Sequence, residues 1–270
     1  MDLICEERPS DSPFVETIWR SHSEYAGSFI SMAESQQSLV LTRYRGRRFL
    51  TLRGPSAKAV PAYNPPDAEF FGIQFKPGVF LPHLPASMVA ERHDLSLPEA
   101  SGDSFWLNSS VWEYPDFENA DTFVDWLVRD GLLVRDPIVE AVLLGQRVET
   151  SIRTVRRRFL RAAGLPHGSL YQIDRARHAT ALLKGGMSIL DTVLEAGYFD
   201  QPHLTRSLKQ YVGLTPAQIT DEGRREPLSF LYKKSPPSPE YDANARVNPE
   251  RFKLVDHTAM GQNTLGARRS

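Results

Sequence analysis

Hydrophobic and polar positions along this chain fall into two regimes. From residue 14 to about residue 97 the apolar runs are short and strand-like. Residues 38–44 (SLVLTRY) and 49–52 (FLTL) are rich in aliphatic, aromatic and β-branched side chains. Arg45-Gly46-Arg47-Arg48 between them predicts a hairpin turn. Residues 70–75 (FFGIQF) predict a further strand, closed by Lys76-Pro77-Gly78. Residues 53–69 and 76–87 are rich in Pro and Gly and read as loops. Short strands separated by such turns predict a small barrel or sandwich. Residues 1–13 carry charge, Ser and Pro and are expected to form a flexible lead-in.

From Asp116 the period changes to that of a helix. Ala120, Phe123, Val124 and Leu127 share one face, and Gly131 supplies a stop. Asp136-Pro137 then predicts an N-cap followed by Pro at the first helical position, with Ile138, Val139, Val142 and Leu143 as the apolar stripe. Residues 151–219 repeat one plan twice. In the first copy Ser151 caps a helix that turns Val155, Phe159 and Leu160 inward and Arg153, Thr154, Arg156, Arg157 and Arg161 outward. Leu170, Ile173, Ala176, Ala179, Leu182 and Leu183 then suit one long linking helix. In the second copy Ser188-Ile189-Leu190-Asp191 reads as a capping box, its hydroxyl and carboxylate satisfying orphan N–H groups reciprocally. Ile189, Val193 and Leu194 give that helix a buried face, and Gly197 ends it. Asp200 caps the next helix, with Pro202 tolerated in its first turn. Leu204, Leu208, Tyr211 and Val212 point inward; Gln201, His203, Thr205, Arg206 and Lys209 are left facing out.

Charge sharpens this picture. The chain of 270 residues has a formal net charge of -1, which does not describe a wholly basic nucleic-acid binder. Residues 151–219, however, hold ten Arg or Lys against four Asp or Glu, and the compensating acid lies mostly in residues 91–140. A basic module in a near-neutral chain suits local docking on phosphate. Paired short helices with amide and basic side chains on the outward face fit the major groove, where amides and guanidinium groups read base edges. Double-stranded DNA is the expected partner. The single cysteine, Cys5, excludes an internal disulfide and a Cys-pair zinc site. No apolar run approaches the roughly eighteen residues of a membrane span, and no signal peptide is evident, so a cytoplasmic protein without a membrane partner is expected. Residues 223–270 hold one apolar run, PLSFLY at 227–232, that could form a short strand; the remainder predicts a mostly disordered tail.

The residues of the helical half resemble the AraC/XylS family of transcription regulators. The first unit supplies Arg157 or Arg158 with Phe159 and Gly164. The linking helix supplies Arg175 or Arg177 with Leu182-Leu183. The second unit has Gly197-Tyr198, Asp200, Arg206, Lys209, Gly213, Thr215 and Pro216. Leu204 and Leu208 stand where members often have Phe, and VEAVLLGQRVET, before Ser151, lacks the usual Leu-Ala start. The resemblance implies base-facing positions at Arg153, Arg156 and Arg157, and at Gln201, His203, Thr205 and Arg206. It also implies a sensor or dimerising domain ahead of the DNA-binding module, often a cupin-like barrel, and it admits RNA polymerase, a small-molecule effector and a second copy of the chain as further partners.

The expected fold is therefore α+β: a small cupin-like β-barrel domain with a C-terminal helix at 14–133, then an all-α tandem helix-turn-helix domain at 136–222. The strand-rich part resembles sensor domains of unassigned ligand. No residue pattern names an effector or a cofactor. His83 and His93, with Glu91 and Asp94 nearby, lack the His-x-His spacing of metal cupins, so no metal is expected. No nucleophile elbow or phosphate-binding Gly loop is present, and Cys5 lacks the surroundings that alkyl transfer would need; no catalytic residue is expected. Trp106, Trp112, Tyr114 and Phe117 predict an aromatic plug between sheet and helix, the other reading being the wall of an apolar pocket. Two rival functions stand beside the ligand-controlled regulator. One is a cupin-like metal-dependent enzyme or small-molecule sensor whose helical half does not bind DNA. The other is a constitutive binder whose barrel serves only dimerisation.

Overall fold

Alternate positions of the central strands carry the apolar side chains, and pairing lines them up across one sheet. The computed structural model describes residues 4–90 and 95–221. The first strands are β1 (Ile4–Arg8), β2 (Val15–Ser23), β3 (Gly27–Ser31), β4 (Ser38–Tyr44), β5 (Arg47–Arg53), β6 (Val60–Asn64), β7 (Ala68–Phe75) and β8 (Val79–Phe80). A short helix α1 (Ala86–Val89) precedes β9 (Leu95–Ser96), β10 (Glu99–Ser101), β11 (Ser104–Leu107) and β12 (Ser110–Glu113). Helix α2 (Ala120–Arg129) and strand β13 (Val134–Arg135) lead into α3 (Pro137–Leu143), α4 (Ile152–Ala163), α5 (His167–Lys184), α6 (Ile189–Glu195), α7 (Gln201–Tyr211) and α8 (Pro216–Ile219).

The main sheet is antiparallel in the order β1-β2-β7-β4-β5-β9. Ile18, Ile73, Leu39 and Leu52 form one row across it, and Phe71, Leu41 and Leu50 the next. All are buried. Because side chains alternate with a period of two, these rows share one face. Over that face α2 lays Phe123, Val124 and Leu127, joined by Phe105, Leu107 and Phe117. Of the four aromatics expected to plug this interface, Phe117 is buried and Trp112 and Tyr114 pack against the same core. The Trp112 ring meets Phe123 edge-on at 6.0 Å, and Tyr114 stacks on Phe105 at 5.3 Å. Trp106 faces outward, 44% exposed, because it alternates with Phe105 and Leu107 on β11.

The expected small barrel is not closed. The sheet ends in β1 on one side and the two-residue β9 on the other, and among the described residues no strand joins them. Two stretches read as loops carry structure. β6 pairs with β3 as a separate ribbon that extends to a bridge between Glu34 and Ser56, and β8 pairs with β13. Pro61 and the Pro65-Pro66 pair hid β6; a ribbon of two strands has unpaired edges, where Pro is tolerated. Residues 4–8, within the expected lead-in, pair with β2 as the edge strand β1. The expected strand in residues 227–232 and the tail around it lie outside the described residues, as do Glu91, His93 and Asp94.

The long helix α5 divides the helical core in two. Leu170 and Ile173 near its start pack with α4 and with Val139 of α3. Ala176, Ala179 and Leu183 further along pack with α6, α7 and α8. The ribbon enters both clusters: Met32 belongs to the second and Ala33 to the first. Sheet region and helical region thus share buried surface.

Candidate nucleic-acid interface

Helix α4 starts where the Ser151 hydroxyl accepts from the Thr154 amide at 3.2 Å. It stops at Gly164, a left-handed C-cap with φ of 67°. Val155, Phe159, Ala162 and Ala163 form its buried stripe. Leu160, expected inward, is 45% exposed. At 100° per residue it lies too far round the helix from Val155 and Ala162, and the two alanines take its place. Arg153, Arg156 and Arg157 are exposed on the opposite side. With Thr154, Leu160, Arg161 and Ser87 of α1 they line an open groove of about 590 Å³. Arg158 belongs elsewhere. Its Nη1 lies 3.1 Å from Oδ2 of Asp136, whose side chain is only 4% exposed. Asp136 also caps α3, accepting through Oδ1 from the amides of Ile138 and Val139 at 3.0 and 3.2 Å.

The second unit is held by its turn. The Ser188 hydroxyl accepts from the Asp191 amide at 3.1 Å. The expected reciprocal bond takes another form: Asp191 accepts from the Ser188 hydroxyl, at 2.6 Å, since the Asp side chain is one methylene shorter than the Glu that reaches the backbone in a capping box. Val193 and Thr192 are the buried residues of α6, whereas Leu194, expected inside, is 78% exposed. In the turn, Arg175 donates to the Gly197 carbonyl at 3.2 Å and to Gln172 Oε1 at 2.7 Å, while its guanidinium sits 4.1 Å from the centre of the Tyr198 ring. Tyr198 is buried and its hydroxyl lies 2.9 Å from Ser207 Oγ; burial pushes the phenol pKa up, against the hydrogen bond from Ser207 and the nearby Arg175.

Asp200 caps α7, accepting from the His203 amide at 2.7 Å. Leu204 and Leu208 are buried. Gln201, Arg206 and Lys209 are exposed and Thr205 is half-buried beside them. His203 lies on the flank of the helix. Its ring meets Tyr198 edge-on at 5.1 Å, and Nε2 is 3.3 Å from Arg175 Nη2. Phe199, which the periodic reading passed over, is 90% exposed. A signal for it existed: it stands between Tyr198, which fills the core, and the cap Asp200, so it has no inward direction left.

Both outward-facing helices end against the sheet region. The last carbonyls of α7 have no partner within the helix. Tyr211 O accepts from the Ala33 amide at 2.7 Å and Gln210 O from the Ala59 amide at 2.9 Å. Gly213, at φ +83°, leaves room for Ile30 and Ala59, to which a Cβ would come within 2.9 and 3.2 Å. At the end of α4, a Cβ on Gly164 would come within 2.5 Å of Pro55 Cγ and 2.9 Å of Ala86 O. Arg177 of α5 holds the carbonyl of Ala33, the same residue whose amide bonds Tyr211 O, at 3.0 Å and Glu34 Oε2 at 2.8 Å. Nearby Asp174 keeps an edge in water but is crowded by protein atoms. Burial pushes its carboxyl pKa up to about 6; Arg177 opposes the shift, and Glu34 and Glu16 add to it.

Residues 144–222 match the family model of a helix-turn-helix domain. No curated protein and no solved structure matches the chain. The helical region is thus a DNA-binding helix-turn-helix module. That match supports a DNA-binding transcription regulator of the AraC type, and the sheet region is unassigned. Among the described residues no helix is long and apolar enough to cross a membrane.

Proposed function

We propose that α4 and α7 are the two recognition helices, and that the sheet region governs their engagement with DNA through a small-molecule effector, a second copy of the chain, or both. In this reading residues 14–133 act as the sensor or dimerisation domain and 136–222 as the DNA-binding domain. Arg153, Arg156 and Arg157 on α4 and Gln201, Thr205 and Arg206 on α7 face base edges, with Thr154 and Lys209 toward phosphate. His203 would reach a base only by leaving Tyr198 and Arg175. The observation that carries the proposal is the shared anchorage. The ribbon of β3 and β6 bonds the end of α7, and the adjoining Pro55 abuts the end of α4. A movement of that ribbon would change how the two helices present themselves, so a ligand that prefers one arrangement shifts the population toward it. A groove of about 370 Å³ over the polar end of the sheet, lined by Arg20, His22, Arg43, Glu69, Phe71 and Phe117 among others, is the candidate effector site.

The test is selection of bound duplexes by the full chain, followed by binding measured over a salt series. The expected result is a shared motif with two half-sites centred about 10–10.5 base pairs apart and an affinity that falls steeply with salt. Equal binding to every duplex, or none, would overturn the assignment of α4 and α7.

A further inference from the structure

We propose that Phe199 is a specificity-determining side chain, packing on the C5-methyl group of a thymine in the major groove. This rests on the reading of α7 as a recognition helix. Phe199 is 90% exposed, more than any other large hydrophobic side chain among the described residues. An aromatic ring left in water forgoes the transfer energy that burial would supply, and here it shares its turn with the exposed Pro202 on a helix read as entering the major groove. Its backbone is also anchored through its two neighbours. Tyr198 before it is locked into the core through Ser207 and Arg175. Asp200 after it is fixed as the cap of α7. The ring is therefore presented at the entry of the helix with its backbone anchored on both sides, so only the rotamer freedom of the side chain remains to be ordered on binding.

Its neighbours define the chemistry. Gln201 beside it is an amide able to read adenine. Pro202, also exposed, has no N–H and adds a second apolar surface to the same turn. The tip of α7 is thus apolar around one amide. In the major groove only thymine offers an apolar group, its methyl. Leu190 and Leu194 on α6 are exposed as well, at 68% and 78%. They lie on the preceding helix, however, whereas Phe199 shares its turn with Gln201, and this favours a base over a protein as its contact.

The experiment uses the full chain and a duplex selected from a randomised pool. Each thymine is replaced in turn by uracil, which removes the methyl and nothing else. With the native chain, one position in the half-site bound by α7 should lose about fourfold in affinity, the worth of one buried methyl-sized group. Phe199→Ala should bind the thymine and uracil duplexes alike at that position, and Phe199→Leu should keep part of the difference. Because the side chain is exposed, the circular dichroism and melting of both variants should match the native chain. A uracil loss that is the same in Phe199→Ala, or absent from the native chain, overturns the proposal. So does a Phe199→Ala chain that binds DNA as the native one does yet fails to regulate transcription, since the ring would then serve a protein. If Arg206→Ala has no effect on the selected duplex either, the reading of α7 itself falls; if Arg206→Ala weakens binding and Phe199→Ala does not, only the thymine contact is lost.

Discussion

Arg177 on α5 reaches out of the helical core to Glu34, with 2.8 Å between Nη2 and Oε2, and the same nitrogen holds the Ala33 carbonyl at 3.0 Å. Each side chain is about a quarter exposed or less. The pair therefore sits between the exposed limit, where ion pairs contribute little, and the buried limit, where breaking one is expensive. Arg177→Met should destabilise the chain by roughly 1–3 kcal/mol, read as a lower denaturant midpoint. If the ribbon is the coupling element, the same variant should also broaden the unfolding transition, as sheet and helical regions separate. An unchanged midpoint would show that the contact is dispensable.

Asp174 predicts how stability varies with pH. Its carboxyl is raised to about 6 in the fold, so between pH 4 and 6 the folded chain holds a proton that the unfolded chain has released. Stability contributed by this group is then highest below pH 4, falls as pH rises to 6, and stays lower above that. Asp174→Asn imitates the protonated form. It should match the native chain near pH 4 and exceed it by roughly 1–2 kcal/mol at pH 8, less than the full shift implies because the carboxyl keeps an edge in water. Thermal melts of both chains across this range decide the matter; a variant less stable at pH 8 would mean that the attraction to Arg177 outweighs desolvation.

Arg157 and Arg158 are adjacent in sequence and should behave oppositely. Arg157 faces the open groove on α4, and Arg157→Ala should weaken specific DNA binding by about 1–3 kcal/mol if it reads a base while leaving the melting temperature near its native value. An equal loss on all duplexes would make it a phosphate contact instead. Arg158 is tied to the buried Asp136. Arg158→Ala should lower stability by roughly 1–3 kcal/mol and leave sequence preference unchanged, as equilibrium unfolding and binding to shuffled sites would show.

Gly164→Ala should be more damaging than an ordinary Gly-to-Ala change. The residue has φ of +67°, and the added Cβ would meet the Ala86 carbonyl and Pro55. The cost should exceed ~1 kcal/mol, and Pro55 or α1 would have to shift away from α4. Gly197→Ala is the control: it carries the same strain at φ +68° with nothing near the new methyl group. A smaller loss at Gly164 than at Gly197 would remove the steric contact from the account.

Much of the helical half was legible in the residues themselves. Caps at Ser151, Asp136 and Asp200 are local chemistry, set by a side chain three or fewer positions from the amide it serves, so they read directly from the chain. Strands β4, β5 and β7 were legible for the same reason: their turns and alternation are local. Leu160 and Leu194 were misplaced because hydrophobicity gives a side chain's preference, not its bearing; what settles bearing is which face α5 covers. The pattern of apolar and polar positions by itself determined that two capped helices of like design flank one long helix, since propensity and capping act over a turn or two. Only the tertiary structure decided that the sheet stays open, and that a proline-flanked ribbon at residues 27–34 and 56–64 grips the end of α7 while Pro55 abuts the end of α4. These depend on packing between segments far apart in the chain, more than a hundred residues for the ribbon and Pro55, and nothing local encodes the partner.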